Sequence, residues 1–586
     1  MLKPINVGVE FFHKLIESNS YYVDKTDLIR TVFKDDTADV MLITRPRRFG
    51  KTLTMTTFWD FLSLDPLNPG DTTRQNKWFQ KTAIFADKEF CREYMGKFPV
   101  IFLTLKSVGY ANFQDSYNEL AFLVSSLAKS FTYLKSGDNL DEDDKQAFSN
   151  LLNYELLRDP KDKSHLANSL KTLTELLAKY HGINPILLID EYDVPIAKAA
   201  HHGYYREMID VISPFLSNAL KTNPHLGKAV LTGCLRAAKE SIFTGLNNLS
   251  VCSVLDPGDM LMSTSIGFTD EETRTALAYY GLSDCYQEVQ KNYDGYHFGG
   301  IRMYCPWDVM SFCRSNRLTG AQYAVADNYW INTSGNDIIE EFMGFIQPDD
   351  TDKMQDLLDG KTITVNVRKA LCYGDLQCHN ISDFWTLLLY TGYLTYDPRH
   401  RTANKDEYLL YIPNEEIRDC FRTKIKDFIA DNPVMKNTTS ELITAMFEGD
   451  AGTMENRLNT LLAKYVSVRD FATKAPRENY YHGFMNGLLV NGISLIEEQK
   501  SNAESGDGYT DLIILSAATD RIAILELKTA ERKFDDRISK AEKAIEQIIS
   551  NRYAEQFMDN KTIKAVYVYG ICFYKKNCSV QVRRLK

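Results

Sequence analysis

The chain has 586 residues, 44% of them hydrophobic and 25% charged. That is ordinary globular composition, with apolar residues for sizeable cores and length for about three folding units. The net charge of −10 excludes a protein that coats nucleic acid over its whole surface. Eleven cysteines are scattered singly, without a C-x-x-C pair or a His–Cys cluster at zinc spacing, which argues for reduced thiols rather than a disulfide framework. Met1–Asn6 holds no apolar leader core, and no run reaches membrane-span length, so a cytoplasmic protein without a membrane partner is expected.

In chain order, residues 1–255 alternate strands with helices. Val40–Thr44, Val100–Leu105, Ile186–Asp190 and Ala229–Gly233 read as strands; Tyr117–Leu127 and Leu166–Tyr180 read as helices. Alternation of this kind implies a parallel sheet covered by helices. The acidic stretch Ser136–Lys145 reads as an exposed loop. Residues 256–400 are mainly helical, as at Thr269–Tyr280 and Pro306–Arg314, and read as a lid. Around their end a helix near Phe384, followed by β-like Tyr393–Tyr396 and, just beyond, Glu407–Ile412, suggests a winged-helix module. Residues 401–586 add helices from Asn414 to about Lys464 and then a last α/β unit. The expected fold class is α/β: a parallel sheet with a helical lid, plus a C-terminal α/β domain.

The strand at Val40 runs into Arg45-Pro46-Arg47-Arg48-Phe49-Gly50-Lys51-Thr52 and then a helix-compatible stretch, Leu53–Leu62. A strand, a tight basic loop ending Gly-Lys-Thr and a helix are the context of a phosphate-binding loop. Loop N–H groups and the helix N-terminus wrap phosphate, Lys51 reaches the β/γ oxygens of ATP, and Thr52 helps hold Mg²⁺. Arg45 stands where the pattern G-x-x-x-x-G-K-[ST] wants a glycine, so that turn is made with a Cβ present. The nucleotide-contacting candidates are Arg45, Arg47, Arg48, Phe49, Gly50, Lys51 and Thr52. The plainer alternative is a strand–turn–helix with a chance Gly-Lys-Thr.

A partner motif favours the loop. Ile186-Leu187-Leu188-Ile189-Asp190-Glu191 describes a buried strand delivering carboxylates at its C-terminal edge, where ligands gather in open α/β sheets. Asp190 suits the Mg²⁺ shell and Glu191 suits polarising the attacking water. Asp193 receives no role. Thr232, at the end of another strand, fits a γ-phosphate sensor. Arg236 just beyond fits a cationic stabiliser, or equally a structural partner of Glu191 or Glu240.

Several of these segments resemble the bacterial AAA-ATPase-like proteins: Tyr22-Val23-Asp24-Lys25-Thr26, Arg45–Thr52, Leu188–Asp193, Thr232-Gly233 with Arg236 and Ser241–Asn248, and Tyr293-Asp294-Gly295-Tyr296-His297-Phe298. The resemblance covers nearly the whole chain, and it implies ATP binding and hydrolysis with a C-terminal PD-(D/E)XK nuclease-like domain. Arg45 then belongs to the family's own wording of the loop.

Near the C-terminus, Tyr509–Leu515 and Arg521–Lys528 read as a hairpin. Strand alternation puts Glu526 and Lys528 on one face, where Asp511 can join them. Two carboxylates and an ammonium around one point are what a metal-dependent nuclease needs: Asp511 and Glu526 for Mg²⁺, Lys528 to orient the nucleophile or neutralise charge. This matches the PD-(D/E)XK pattern, which further implies roles for Glu478 (a third metal ligand) and His482 on a preceding helix, for Glu504, and for Gln547 with Tyr553 on the following helix. Where relatives read Gly-Arg-Gly-Arg-Tyr-Asp, this chain has Gly506-Asp507-Gly508-Tyr509-Thr510-Asp511, two cations short. From Arg521 to Lys586, 15 Lys+Arg stand against 8 Asp+Glu, a net +7 against −17 for the remainder. That fits a local polyanion site with nucleic acid, DNA foremost, as partner, or a solvated mixed-charge helix and basic tail. The competing class is an ATP-gated binding or sensor protein whose nuclease-like domain does not cut.

Overall fold

A computed structural model describes residues 2–586 except 34–37, 236–248, 257–259, 331–352, 355, 379, 401–403, 432, 466–480, 483, 486–487, 490–494, 506–507, 531 and 533–534. Two compact units share the chain. Met1–Ser334 with Thr362–Arg418 forms the first, and Gly335–Lys361 with Asp419–Lys586 the second.

Five parallel strands organise the first unit: β1 (Val40–Thr44), β2 (Val100–Thr104), β3 (Ile186–Asp190), β4 (Lys228–Gly233) and β5 (Leu249–Cys252), in the order β2-β3-β4-β1-β5. Every residue of β1, β3 and β4 is buried, which is why they read as unbroken apolar runs. β5 is an edge strand, only partly buried, and its Leu-Ser-Val-Cys carries no such signal. β4 separates the loop-bearing β1 from β3, with Ile43 opposite Thr232 and Leu231 opposite Ile189. Thr52, Asp190 and Thr232 therefore leave the sheet at the same edge.

The stretch expected as a loop, Ser136–Lys145, is corrected. A helix, Glu142–Leu152, begins inside it because Asp141 and Asp144 form a reciprocal capping box. Acidic side chains favour a helix N-terminus, so the charge run was a start signal.

The lid is also less helical than expected. It carries a hairpin, β6 (Tyr296–Phe298) and β7 (Ile301–Met303), and a small antiparallel sheet of β8 (Ile363–Asn366), β9 (Thr395–Tyr396) and β10 (Glu407–Tyr411) in the order β8-β10-β9. β9 and β10 fall on the β-like runs expected at Tyr393–Tyr396 and Glu407–Ile412, whereas β6, β7 and β8, of three or four residues, are too short for alternation to announce them. A helix, Ile381–Thr391, precedes β9; the helices Asp270–Tyr279 and Pro306–Asn316 stand close to expectation.

The second unit is a mixed five-stranded sheet: β11 (Ile496–Ser505), β12 (Gly508–Ser516), β13 (Arg521–Thr529), β14 (Ala565–Tyr574) and β15 (Asn577–Arg584), in sequence order. β12 and β13 form the expected hairpin, while β13 and β14 are parallel and joined through the helix Arg537–Ser550. Alternation sorts its residues onto two cores. Ala523, Leu525 and Leu527 face one, with Leu442, Met446 and Leu458; Ile522 and Ile524 face the other, with Ile545 and Ile548 of that helix. Tyr553 lies past the end of the helix rather than on it, buried in this second core. Among the described residues no helix is long and apolar enough to cross a membrane.

Candidate functional site

The loop after β1 is shaped by two left-handed residues, Arg48 at φ 72° and Gly50 at φ 96°. A Cβ on Gly50 would meet open space, so glycine is required there for its φ and not for room. Lys51, 4% exposed, turns back across the loop. Its ammonium donates to the carbonyls of Arg45 and Pro46, both at 3.2 Å, and lies 3.5 Å from Glu191 Oε1. Burial alone would lower its pKa, but the Cys234 sulfur and the Glu191, Asp193 and Asp190 carboxylates hold it above the ordinary lysine value.

Asp190 is fully buried beneath Thr52. The Thr52 hydroxyl donates to Asp190 Oδ2 at 2.8 Å, and Thr232 donates to Oδ1 at 2.6 Å. Burial, then the neighbouring Glu191 carboxylate, pushes the Asp190 pKa up. With its proton committed to Asp190, the Thr52 hydroxyl keeps its lone pairs for an outside partner, as a cation ligand must.

A cavity of about 480 Å³ opens over the loop. Arg47, Arg48, Phe49, Gly50, Lys51, Thr52 and Glu191 line one end, and Val7, Val9, Tyr22, Phe268, Trp307 and Met310 supply apolar surface. Lys25 and Lys106 add cations to the wall. Lys25 is tied to Glu272 at 2.6 Å and to the Thr264 carbonyl at 2.7 Å, and Lys106 to Glu10 at 2.5 Å. The volume and the cation-rich end suit a small anionic ligand with an apolar part.

In the second unit, Ile513 of β12 and Ile522 and Ile524 of β13 share a core, so alternation puts Asp511 and Glu526 on that same face. Asp511 Oδ2 accepts the Leu527 N–H at 2.7 Å, and His482 Nε2 lies 3.0 Å from the Asp511 carbonyl oxygen. Glu526 is 4% exposed. Its Oε1 receives Gln547 at 2.6 Å and Lys528 at 3.0 Å, while Oε2 is buried without a hydrogen-bond partner. Burial and then the Asp511 charge raise the Glu526 pKa; Lys528 opposes them. An orphaned buried carboxylate oxygen beside a second carboxylate is a donor set that a divalent cation would complete. Gly570, opposite Glu526 on β14, makes this geometry possible: a Cβ there would lie 1.8 Å from the Ala541 carbonyl oxygen. The helix thus rests directly on β14 and delivers Gln547.

Residues 6–243 match the family model described as "Predicted AAA-ATPase", and residues 476–583 match the PD-(D/E)XK nuclease superfamily. The chain joins an AAA-ATPase-like domain to a PD-(D/E)XK-superfamily domain. It is also similar to an uncharacterized protein in the vnfD 5' region of Azotobacter chroococcum mcd 1, at 21% identity over 99% of this chain and 98% of that one.

Within the AAA-ATPase-like domain the fold brings Arg47, Arg48, Phe49, Gly50, Lys51, Thr52 and Glu191 to one cavity, with Asp190 and Thr232 behind Thr52. Arg45 is corrected: it is 1% exposed and is not on the cavity wall. Its guanidinium donates to the carbonyls of Thr44 (2.8 Å), Cys252 (3.1 Å) and Met262 (2.8 Å) and stacks 5.0 Å from Phe298. The loop is held from outside by this side chain, because the turn has no glycine to make it tight. Phe49 adds a second hold, against Tyr296 at 4.9 Å and Phe298 at 5.0 Å, and Gly392 leaves room for Pro46. Arg236 and Glu478 lie outside the described residues. In the PD-(D/E)XK domain Lys528 and Gln547 both donate to Glu526, and Asp511 accepts the backbone N–H next to it. Among the described residues no group of three or more His, Cys, Asp or Glu side chains converges on one point.

Sequence reasoning missed Lys106, Phe268 and Trp307, which arrive from distant segments, and gave Lys25 no role although its motif stood out. The Trp307 ring lies 4.1 Å beneath the Arg48 guanidinium, with Gly8 against its other edge.

Proposed function

We propose that the first unit binds and hydrolyses ATP and that the second is a metal-dependent nuclease acting on nucleic acid. The observation that carries the first half is the pair of hydroxyls, Thr52 and Thr232, converging on the two oxygens of Asp190 beside Lys51 at the floor of a cation-lined cavity. Lys51 would exchange its loop carbonyls for β/γ oxygens, and the apolar wall at Val7, Phe268 and Trp307 would seat the base. Glu191, on the cavity wall, would orient the attacking water and accept its proton. Thr52 and Asp190 would hold the divalent cation here; Asp511 and Glu526 would hold it in the second unit. The cation, when bound, supplies compensation for the charge that develops on phosphate. Lys528 would then neutralise or orient at the scissile phosphate.

A second reading for the C-terminal domain is grip without cleavage. What favours it is the Lys528–Glu526 pair at 3.0 Å, which occupies the ammonium in place of a phosphate, together with the missing cations before Asp511.

The test is incubation of the purified protein with Mg²⁺ and linear or circular DNA, with and without ATP, beside Lys51→Ala and Glu526→Ala. Phosphate release lost in Lys51→Ala supports the ATPase, and cleavage lost in Glu526→Ala supports the nuclease. Cleavage that also needs Lys51 would show that nucleotide governs it. No cleavage by the wild type across metals and substrates would leave a binding domain.

A further inference from the structure

Asp193 stands three residues beyond Asp190, is 2% exposed and is not part of the cavity wall. Its Oδ2 accepts the backbone N–H groups of Cys234 at 2.9 Å and Leu235 at 3.0 Å, and the Tyr373 hydroxyl stands 3.5 Å from the same oxygen. Tyr192 completes the grip. Its hydroxyl donates to the Leu235 carbonyl at 2.7 Å and its N–H to the Thr232 carbonyl at 3.0 Å. The left-handed turn at Glu191, φ 53°, redirects the chain as it leaves β3. Gly233 has no side chain for a direct reason: a Cβ would fall 2.6 Å from Asp193 Oδ1 and 2.7 Å from the Tyr192 ring.

The segment so held is the exit of β4. Its first residue, Thr232, donates to Asp190, and its third, Cys234, has its sulfur 3.7 Å from Lys51 Nζ. A buried carboxylate is an unfavourable way to satisfy two amides, the more so with Oδ1 left without a partner. Such an arrangement makes sense where the position of the clamped backbone matters. We propose that Asp193 is a positioning residue for hydrolysis: it fixes the exit of β4, and through it Thr232 and the surroundings of Lys51, without touching nucleotide or cation. The proposal rests on reading this site as an ATPase.

The test compares wild type, Asp193→Ala, Asp193→Asn and Tyr192→Phe in steady-state phosphate release and in nucleotide affinity measured with ATP. Asp193→Ala should lower kcat roughly 100-fold, since small misplacements of reacting groups are that costly, with Kd changed less than about threefold. Asp193→Asn keeps an acceptor oxygen for both amides and should recover to within roughly tenfold of wild type, and Tyr192→Phe should lose only a few-fold. Asp144→Ala serves as a stability control: it removes a buried carboxylate paired with Lys179 at 2.6 Å and should lower Tm while leaving kcat alone.

Wild-type kcat in Asp193→Ala overturns the proposal. So does a loss shared equally by kcat and Kd, or one that Asp144→Ala reproduces at equal Tm. If Asp193→Ala does not fold, Asp193→Asn and Tyr192→Phe decide: a selective loss of kcat supports the proposal and wild-type turnover in both overturns it. Absence of Lys51-dependent phosphate release in the wild type sinks the ATPase reading itself, and the proposal with it.

Discussion

Phe49 and Phe298 meet edge to face, with ring centroids 5.0 Å apart, although one belongs to the loop after β1 and the other to the hairpin of β6 and β7. The same Phe298 ring receives the Arg45 guanidinium. One aromatic side chain thus braces both ends of the loop, a task that glycines at a tight turn usually make unnecessary.

Restoring the glycine should therefore harm the protein. Arg45→Gly removes three hydrogen bonds to carbonyls and a buried cation–π contact, and should destabilise the first unit by about 2–4 kcal/mol. Thermal unfolding together with ATP titration checks this. A more stable variant with tighter binding would contradict the bracing role.

Lys51 Nζ and Glu191 Oε1 lie 3.5 Å apart at the cation-rich end of the cavity. Glu191→Gln removes a competitor for the ammonium, so ATP should bind roughly 2–5-fold tighter. Turnover should fall on the order of 100-fold if Glu191 has the proposed role of accepting the proton of water. Equilibrium binding and phosphate release separate the two effects. Tighter binding with unchanged turnover would mark a slow switch rather than an enzyme that uses Glu191.

Asp308, buried on the helix Pro306–Asn316, should give the first unit a pH-dependent stability. Burial pushes its pKa up to about 7, against the opposing pulls of the Cys305 thiol, Arg48 and Glu416. An unfolded aspartate loses its proton near pH 4. The folded state therefore holds a proton that the unfolded state has released. This stabilisation is complete below about pH 4, is lost as pH rises to about 7, and stays level above that. Asp308→Asn should remove this residue's share of the slope, so the Tm of the variant should gain on wild type steadily between pH 4 and 7. Parallel Tm curves would refute the assignment.

Gly570 sets the distance between β14 and the helix that carries Gln547. Gly570→Ala should cost about 1–3 kcal/mol by overpacking and should separate Gln547 from Glu526. Once that bond is broken, adding Gln547→Ala should change stability by less than about 0.5 kcal/mol, although in the wild-type background it removes a hydrogen bond to a buried carboxylate. A double-mutant cycle measures this directly. Full additivity of the two changes would mean that the glycine does not position the glutamine.

What could be read in the sequence follows from how far each signal reaches. β1, β3 and β4 are buried on both faces and so spell themselves out in consecutive apolar residues, and the carboxylates at the end of β3 follow from them. Asp511, Glu526 and Lys528 were legible because a hairpin fixes its own register and alternation then fixes the face. Gln547 needed the family resemblance, because nothing local says that Gly570 lets its helix approach. The place of Arg45 was misread for a similar reason. Its direction is set by the carbonyls of Cys252 and Met262, more than 200 residues away, and periodicity within a window carries no information at that range. Trp307 and Phe268 reach the cavity in the same way. The stretch Ser136–Lys145 differed in kind: charge that reads as solvent exposure is in fact capping, as Asp141 and Asp144 show.

Because the loop at residues 45–52 is braced by Met262, Phe298 and Gly392, its shape depends on chain that is synthesised long after it. The first unit is not complete until Arg418, after the chain has left it and returned at Thr362. Domains fold as they emerge, N-terminal part first, but here the earliest motif must wait for its scaffold. A nascent chain halted near Ser334 would carry the whole Gly-Lys-Thr sequence and still lack the wall at Gly392. Nucleotide would then be a ligand of the finished protein and not of its growing intermediate, and a shortened gene ending before residue 418 would yield a chain with the motif but without the grip.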